Sequence, residues 1–386
     1  MKQIREILEK NILEYWLGLD DRRGGFYGRV AGDGTIDKTA SRGAILNARI
    51  LWTYSLAYRI LGDKRYLVAA MNAKTYFIRH FIDHKYGGVY WSVDAEGERE
   101  DSKAQLYAQG FAIYALSECY AATNDDEALK AAINIFKIVE THFADRENGG
   151  YIEALARDFR PLEDMRLSER DANVDKTMNS HLHLLEGYAN LYKVWPDAEL
   201  GKAVKGLLEV LRTKIYNSAT GHLELYFDKA WKVLPGGVSY GHDIETSWLA
   251  LECAMALKDF DEVDKIKPVC KGLYKGGMEG YQPDGSLVYE IREDGSLDDS
   301  RQWWVEAETV VGNLWAWKYL DIAAGAACAQ KTWDYIKTHL IDYEKGEWFW
   351  SCDADGKPNL EDDKAGPWKC PYHNSRMCLQ ALTIFE

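Results

Sequence analysis

Positive charge is what this sequence has little of: 47 Lys and Arg stand against 61 Asp and Glu, a net charge of −14. Nothing resembles the basic stripe that a phosphate backbone or an anionic lipid surface requires, so no nucleic acid and no membrane is expected as partner. A small uncharged molecule is. Apolar runs are short, and none approaches the roughly 20 residues needed to cross a bilayer. The opening "MKQIREILEKNILEYW" reads as an amphipathic helix and lacks the basic and then apolar pattern of a secretion signal, so a cytoplasmic protein is expected. The seven cysteines (119, 253, 270, 328, 352, 370 and 378) form no Cys-x-x-Cys and fall mostly in helical patterns. Buried reduced thiols are therefore expected rather than disulfides or zinc ligands. With 8 prolines and no Ser/Pro-rich linker, the chain offers no boundary, and residues 1–386 read as a single domain.

Aromatic surface is abundant, with 14 Trp and 24 Tyr. Core filling covers most of it. For the remainder, the flat C–H faces of a pyranose are the ligand that indole rings stack against.

A repeat organises the chain. "DDRRGGF" from Asp20, "DHKYGGV" from Asp83, "DRENGGY" from Asp145 and "DYEKGEW" from Asp342 share Asp-x-x-x-Gly, then Gly or Glu, then a large residue. "NSATGHL" from Asn217 is a diverged copy, and a further one is expected around 274–286. An amphipathic helix with apolar residues at i, i+3, i+4 and i+7 precedes each copy. A turn-rich aromatic segment such as "GGVYWSVDAEGE" follows, with the look of a short β-hairpin, and then a second helix richer in small residues. The resulting helices are expected at 2–17, 42–62, 64–83, 103–122, 126–144, 175–195, 198–216, 241–257, 260–275, 302–321, 323–342 and 371–385. Charged helices alternate with helices polar only near their starts, which predicts an outer ring around an inner ring. That is an all-α fold, an (α/α)6 barrel of twelve helices with short β-hairpins in the long loops.

The repeat also sorts the nine histidines. His80, His142 and His339 share one repeat position at a helix end, where packing or capping is expected, and His84 and His222 lie in the repeat loops. His181, His183, His242 and His373 remain. Each inner helix carries odd polar or aromatic residues within about two turns of its start: Arg42 and Arg49, Tyr107, Asn179 and His183, His242 and Glu245, Trp303, Trp304 and Glu308, and His373. If the inner helices run parallel, these side chains converge on one mouth, where helix N-termini favour a developing oxyanion. Asn179 and His183 are i, i+4; His242 and Glu245 are i, i+3, so Glu245 is expected to orient His242. His181 points to the far side of its helix and reads as packing.

Two alternatives use the same residues. A metal would recruit His-x-x-Glu or paired histidines, but His-Glu-x-x-His and clustered cysteines are missing, and no metal is expected. Glycoside hydrolysis would need two carboxylates across the pocket, for which Glu245 and Glu308 are the candidates, yet histidines outnumber acids there.

The segments "DKTMNSHLHLLEGY" (175–188), "YGHDIETSWL" (240–249), "RQWWVEAETVVG" (301–312) and "GPWKCPYHNSRMCL" (366–379) resemble the signature segments of the N-acylglucosamine 2-epimerase superfamily. They are most similar to its cellobiose 2-epimerase branch. The resemblance implies an (α/α)6 barrel and cofactor-free inversion of C2 in the reducing-end glucose of a β-1,4-linked disaccharide. It implies His242 and His373 as the acid/base pair, with His183 as a third catalytic group. Arg49, Tyr107, Asn179, Glu245 and Glu308 follow as pocket residues, and Trp303, Trp304 and Trp368 as sugar platforms. The residue types fit that chemistry: inversion beside an aldehyde needs one base on each face of C2, and an imidazole both accepts and donates protons near neutral pH. The implied partner is a small disaccharide, on a monomer or weak homodimer. A monosaccharide epimerase, an aldose–ketose isomerase and a non-catalytic sugar-binding toroid are the other readings.

Overall fold

The computed structural model describes residues 1–21, 24–168 and 171–384. Six helices form an inner ring: α2 (Ala44–Leu61), α4 (Leu106–Thr123), α6 (Met178–Val194), α8 (Tyr240–Ala256), α10 (Trp303–Tyr319) and α12 (Tyr372–Ile384). Each packs on the next, and α12 packs back on α2. The outer ring comprises α1 (Lys2–Glu6, Ile7–Leu13 and Glu14–Leu17 in succession), α3 (Lys64–His80) and α5 (Asp126–Ile138 continued by Val139–Phe143). It is completed by α7 (Ala198–Val210 continued by Leu211–Ile215), α9 (Phe260–Gly277) and α11 (Gly325–His339). All twelve expected helices are present and the (α/α)6 barrel is the fold.

Composition explains the two rings. Inner helices are almost wholly buried, as in Ala44–Tyr54 and Leu106–Cys119, whereas outer helices bury one stripe. Close approach is permitted where glycine faces glycine: a Cβ on Gly187 of α6 would lie 2.4 Å from the Gly110 carbonyl of α4. Four outer helices start on an aspartate, Asp63, Asp125, Asp197 and Asp259, whose side chain accepts a first-turn backbone N–H. Five inner helices instead follow directly on short strands that pair with the next repeat's hairpin: Arg42–Gly43 with Ser92–Val93, Ala104–Gln105 with Ala154–Leu155, Lys176–Thr177 with Tyr226–Phe227, Val238–Ser239 with Glu290–Ile291, and Arg301–Gln302 with Ser351–Cys352.

The repeat loop closes on itself in all six copies, and Tyr281 bridging Leu287 is the copy expected near 274–286. Asp83, Asp145 and Asp342 each accept two loop N–H groups. In the first copy Asp21, not Asp20, takes the equivalent place, because Asp20 is the residue that bridges Phe26 and the turn is one residue shorter. Four inner helices lock the loop from the fourth residue of the helix. Gln109 Oε1 accepts the Val89 N–H, His181 Nε2 the Tyr151 N–H, Asp243 Oδ1 the Leu223 N–H and Glu306 Oε1 the Leu287 N–H, at 2.9–3.0 Å. Both ring nitrogens of His181 are thus engaged by backbone, Nδ1 with the Thr177 carbonyl, and the second oxygen of Asp243 meets His222 Nδ1 at 2.7 Å. His80 and His339 bond the Gly97 and Gly356 carbonyls, and His142 stacks on Phe159. All seven cysteines are unpaired, and all but Cys328 are buried. Among the described residues, no helix is long and apolar enough to cross a membrane.

Candidate active site

The first residues of the inner helices surround a cavity of about 330 Å³. His183, His242, His373, Arg49, Tyr107, Asn179, Glu245, Trp303, Trp304 and Trp368 all line it. Glu308 does not; it lies fully buried behind His373. The Trp304 ring lies 4.8 Å from that of His242 and 5.6 Å from that of His373. Trp303 packs on Trp350 at 5.0 Å, under the Lys369 ammonium, with its ring 6.4 Å from that of His373. Trp368 is half-buried against Trp91 and Tyr107.

The expected pairing of Glu245 with His242 is not formed. His242 Nδ1 shares a hydrogen bond with Ser239 Oγ at 2.7 Å, because α8 begins directly after the strand carrying Ser239 and the first turn brings the two together. Glu245, one turn further in, reaches the centre of the barrel and accepts from Arg376. The carboxylate partner belongs to a different histidine: His373 Nδ1 bonds Glu308 Oε1 at 2.7 Å, with Glu245 Oε1 at 3.9 Å. His183 is paired too, with Glu186 Oε2 at 2.9 Å. In each of these two pairs the engaged ring nitrogen is Nδ1, which leaves Nε2 for the cavity.

Burial sets the charges. It pushes His242 down to about 3 and holds His373 well below the ordinary imidazole range, with the Arg49 and Arg376 cations adding to the effect on His373. Both enter as neutral imidazoles at neutral pH. Burial and the neighbouring Glu308 carry Glu245 up to about 7. Glu186 goes the other way: against the cost of burial, the Arg376 charge and the His183 hydrogen bond hold it at about 2.

Arg49 presents its guanidinium above the rings of Phe111 and Tyr372, at 4.3 and 4.7 Å, and donates to Tyr107 Oη at 2.9 Å. Its Nε has no protein partner, nor has Asn179 Oδ1. Such polar atoms beside a cavity are those that a polyhydroxylated ligand satisfies. Arg42, although it shares a helix start with Arg49, does not reach the site. It is spent on Asp21 and the Gly24 and Ala95 carbonyls.

Sequence reasoning missed Glu186 and Arg376, each three residues beyond a histidine already singled out, the same spacing that was applied to His242 and Glu245. It also missed Met165, Arg166, Leu167, Ser168, Asp171 and Ala172, which line the cavity and carry no repeat signature. Glu245, Glu308 and His373 offer atoms within 4.8 Å of one another, a spacing that suits a metal ion. The Arg376 guanidinium already bonds both carboxylates there, so an ion would compete with a fixed cation.

The family profile of N-acylglucosamine 2-epimerase (GlcNAc 2-epimerase) matches residues 25–376. The chain is 48% identical to a cellobiose 2-epimerase of Bacteroides fragilis, over 99% of this chain and 98% of that one. The solved structure of a cellobiose 2-epimerase from Bacillus thermoamylovorans superposes with a TM-score of 0.93 at 38% identity, covering 99% of this chain and 98% of that one. One from Spirochaeta thermophila gives 0.94 at 36%, covering 99% and 96%.

Proposed function

The chain belongs to the N-acylglucosamine 2-epimerase family and is an isomerase, and we propose that it is a cellobiose 2-epimerase, inverting C2 of the reducing-end glucose of β-1,4-linked disaccharides. The observation that carries this reading is that two imidazoles, His242 and His373, line one cavity, each beside the Trp304 ring at 4.8 and 5.6 Å. A sugar opened to its aldehyde between them presents one face of C2 to each.

One imidazole takes the C2 proton on a bare cavity-facing nitrogen; the C–H pair becomes the C1–C2 π bond, and the carbonyl π pair moves onto O1. The other must carry hydrogen on its cavity-facing nitrogen, as His242 does when its Nδ1 accepts from Ser239 Oγ–H. It gives that proton to C2 from the opposite face as the C1 carbonyl re-forms, and is recharged when the first ring releases the proton it took. Removing a proton beside a carbonyl is slow unless the negative oxygen is met by fixed donors. Arg49 supplies one through the Nε that has no protein partner, with the inner-helix N-termini behind. Glu308 fixes His373 with Nε2 free, Glu186 does the same for His183, and Ser239 holds the His242 ring. Trp368 offers a face for the second, unreacting sugar.

The test is incubation in D2O with cellobiose, lactose, glucose and N-acetylglucosamine separately. The expected outcome is a product with mannose at the reducing end of the disaccharides, carrying deuterium at C2. Turnover confined to free glucose or N-acetylglucosamine would replace this reading with a monosaccharide epimerase. A ketose as main product would replace it with an aldose–ketose isomerase.

A further inference from the structure

Arg376 is 1% exposed and takes no part in the proton transfers above. Its Nη1 donates to Glu186 Oε1 at 2.6 Å, and its Nη2 to Glu308 Oε1 at 2.7 Å and to Glu245 Oε1. Glu186 holds His183 from α6, and Glu308 holds His373 from α12, directly across the inner ring. One cation thus joins the acids behind two histidines on opposite walls. Its own plane is fixed by the rings of Trp248 and Tyr372, at 4.8 and 4.3 Å. Trp248 Nε1 also donates to Glu308 Oε2 at 3.0 Å, and Tyr372 Oη to Glu186 Oε1 at 2.6 Å.

A carboxylate this deeply buried takes up a proton when its cation is removed. A protonated Glu308 would donate to His373 Nδ1 instead of accepting from it, which moves the imidazole hydrogen to Nε2. That nitrogen could then no longer accept a proton from the substrate.

We propose that Arg376 is a positioning residue: by bridging Glu186 and Glu308 it keeps both as acceptors, so that His183 and His373 carry hydrogen on Nδ1 and offer Nε2 to the cavity. The proposal rests on the two-histidine reading of the site. The charged and titratable groups facing Arg376 are Glu186 and His183 from α6, Glu245 from α8, Glu308 from α10, and Tyr372 and His373 from its own helix. Arg49 from α2, with Tyr107 and Tyr114 from α4, lies around the same cluster. None of these supplies a second cation to both acids at once.

The variant Arg376→Lys keeps the charge and loses the fork. Nitrogen-15 spectra of the histidine rings read the tautomers directly and need no substrate. His183 and His373 are expected as Nδ1–H in the wild type, with at least one converted in Arg376→Lys. In the epimerisation assay, kcat should fall roughly tenfold or more with KM nearly unchanged, and the acidic limb of the kcat profile should move up by about one pH unit as the acids protonate earlier. Glu186→Gln, which leaves the cation undivided for the other two acids, should move that limb down. Unchanged tautomers and an unmoved limb in both variants would overturn the proposal, as would a loss of thermal stability and kcat/KM with the profile intact. A wild-type protein inert on all four sugars would sink the epimerase reading instead, and the ring spectra would still decide the role of Arg376.

Discussion

His373 Nδ1 lies 2.7 Å from Glu308 Oε1, and the oxygen that holds it also takes a hydrogen bond from Arg376 Nη2 at 2.7 Å. The histidine, its acid and the cation come from two adjacent inner helices, α10 and α12. Glu308 has no face on the cavity, so its effect on turnover must pass through His373. Glu308→Gln keeps the shape and removes the charge. It is expected to lower kcat by roughly tenfold to a hundredfold, within the range set by a general base, while leaving KM within a few-fold. Ser239→Ala, which frees His242 Nδ1 from a neutral partner only, should cost less. Steady-state kinetics on one disaccharide compare the two.

Removing either imidazole removes one of the two bases, and His183, the third histidine of the cavity, is already paired with Glu186. His242→Ala and His373→Ala should each reduce the rate by 10²–10⁴-fold, the usual worth of a positioned acid or base, with the circular dichroism and melting temperature little changed. Retention of more than about a hundredth of the wild-type rate in either would reassign that histidine to binding.

A divalent ion would have to displace Arg376 from between Glu245 and Glu308. Exhaustive dialysis against EDTA should therefore leave epimerisation at its starting rate. A loss restored by one particular ion would show that the acids serve a metal.

Glu153 is a buried carboxyl that the proton transfers do not use. It takes hydrogen bonds from Thr177 Oγ1 at 2.9 Å and Ser180 Oγ at 2.5 Å, at the start of the helix carrying Asn179 and His183. Burial raises it from 4.5 to about 7. With the folded value above the unfolded one, the protonated folded form contributes stability that is complete below about pH 4.5 and is lost as pH rises through about 7. Glu153→Gln, neutral at every pH, should escape that loss. Its melting temperature relative to wild type should rise by about a few degrees between pH 5 and pH 8, since the shift is worth at most about 3 kcal/mol. A constant difference across that range would mean the carboxyl is ionised throughout.

The ring architecture was legible because it is periodic. Helix spacing marked all twelve helices, and the Asp-x-x-x-Gly loops marked where they turn. The cavity was legible for the same reason, since residues at equivalent heights in parallel helices converge. The hydrogen-bond partners were not. The i, i+3 rule places Glu245 and His242 on one face of α8, but the strand before that helix ends on Ser239, within reach of the same nitrogen, and the Arg376 cation draws Glu245 inward. Glu186 obeys the rule with His183 and was overlooked, while Glu308 pairs across helices with His373, a contact no spacing within one helix encodes. Arg42 shows the converse. Its height in the helix predicted a pocket residue, and a buried aspartate in the preceding loop claimed it.

Trp368 offers the test that separates disaccharide from monosaccharide. It stands half-buried against Tyr107 and Trp91 and lines the same cavity as His242. A reducing-end sugar held between the histidines would direct its second ring there. Stacking on one aromatic face is worth about 1 kcal/mol, and binding energy from a remote ring also serves to position the reacting end. Trp368→Ala should therefore lower kcat/KM on cellobiose or lactose by roughly tenfold, most of it in a reaction step that free glucose cannot benefit from. The loss on glucose should be several-fold smaller. Both sugars, measured with wild type and variant in one assay, decide it: an equal loss on each would mean that Trp368 holds the reacting ring itself, and the platform for the second sugar would have to be sought at Tyr226 and Tyr289, which line the same cavity.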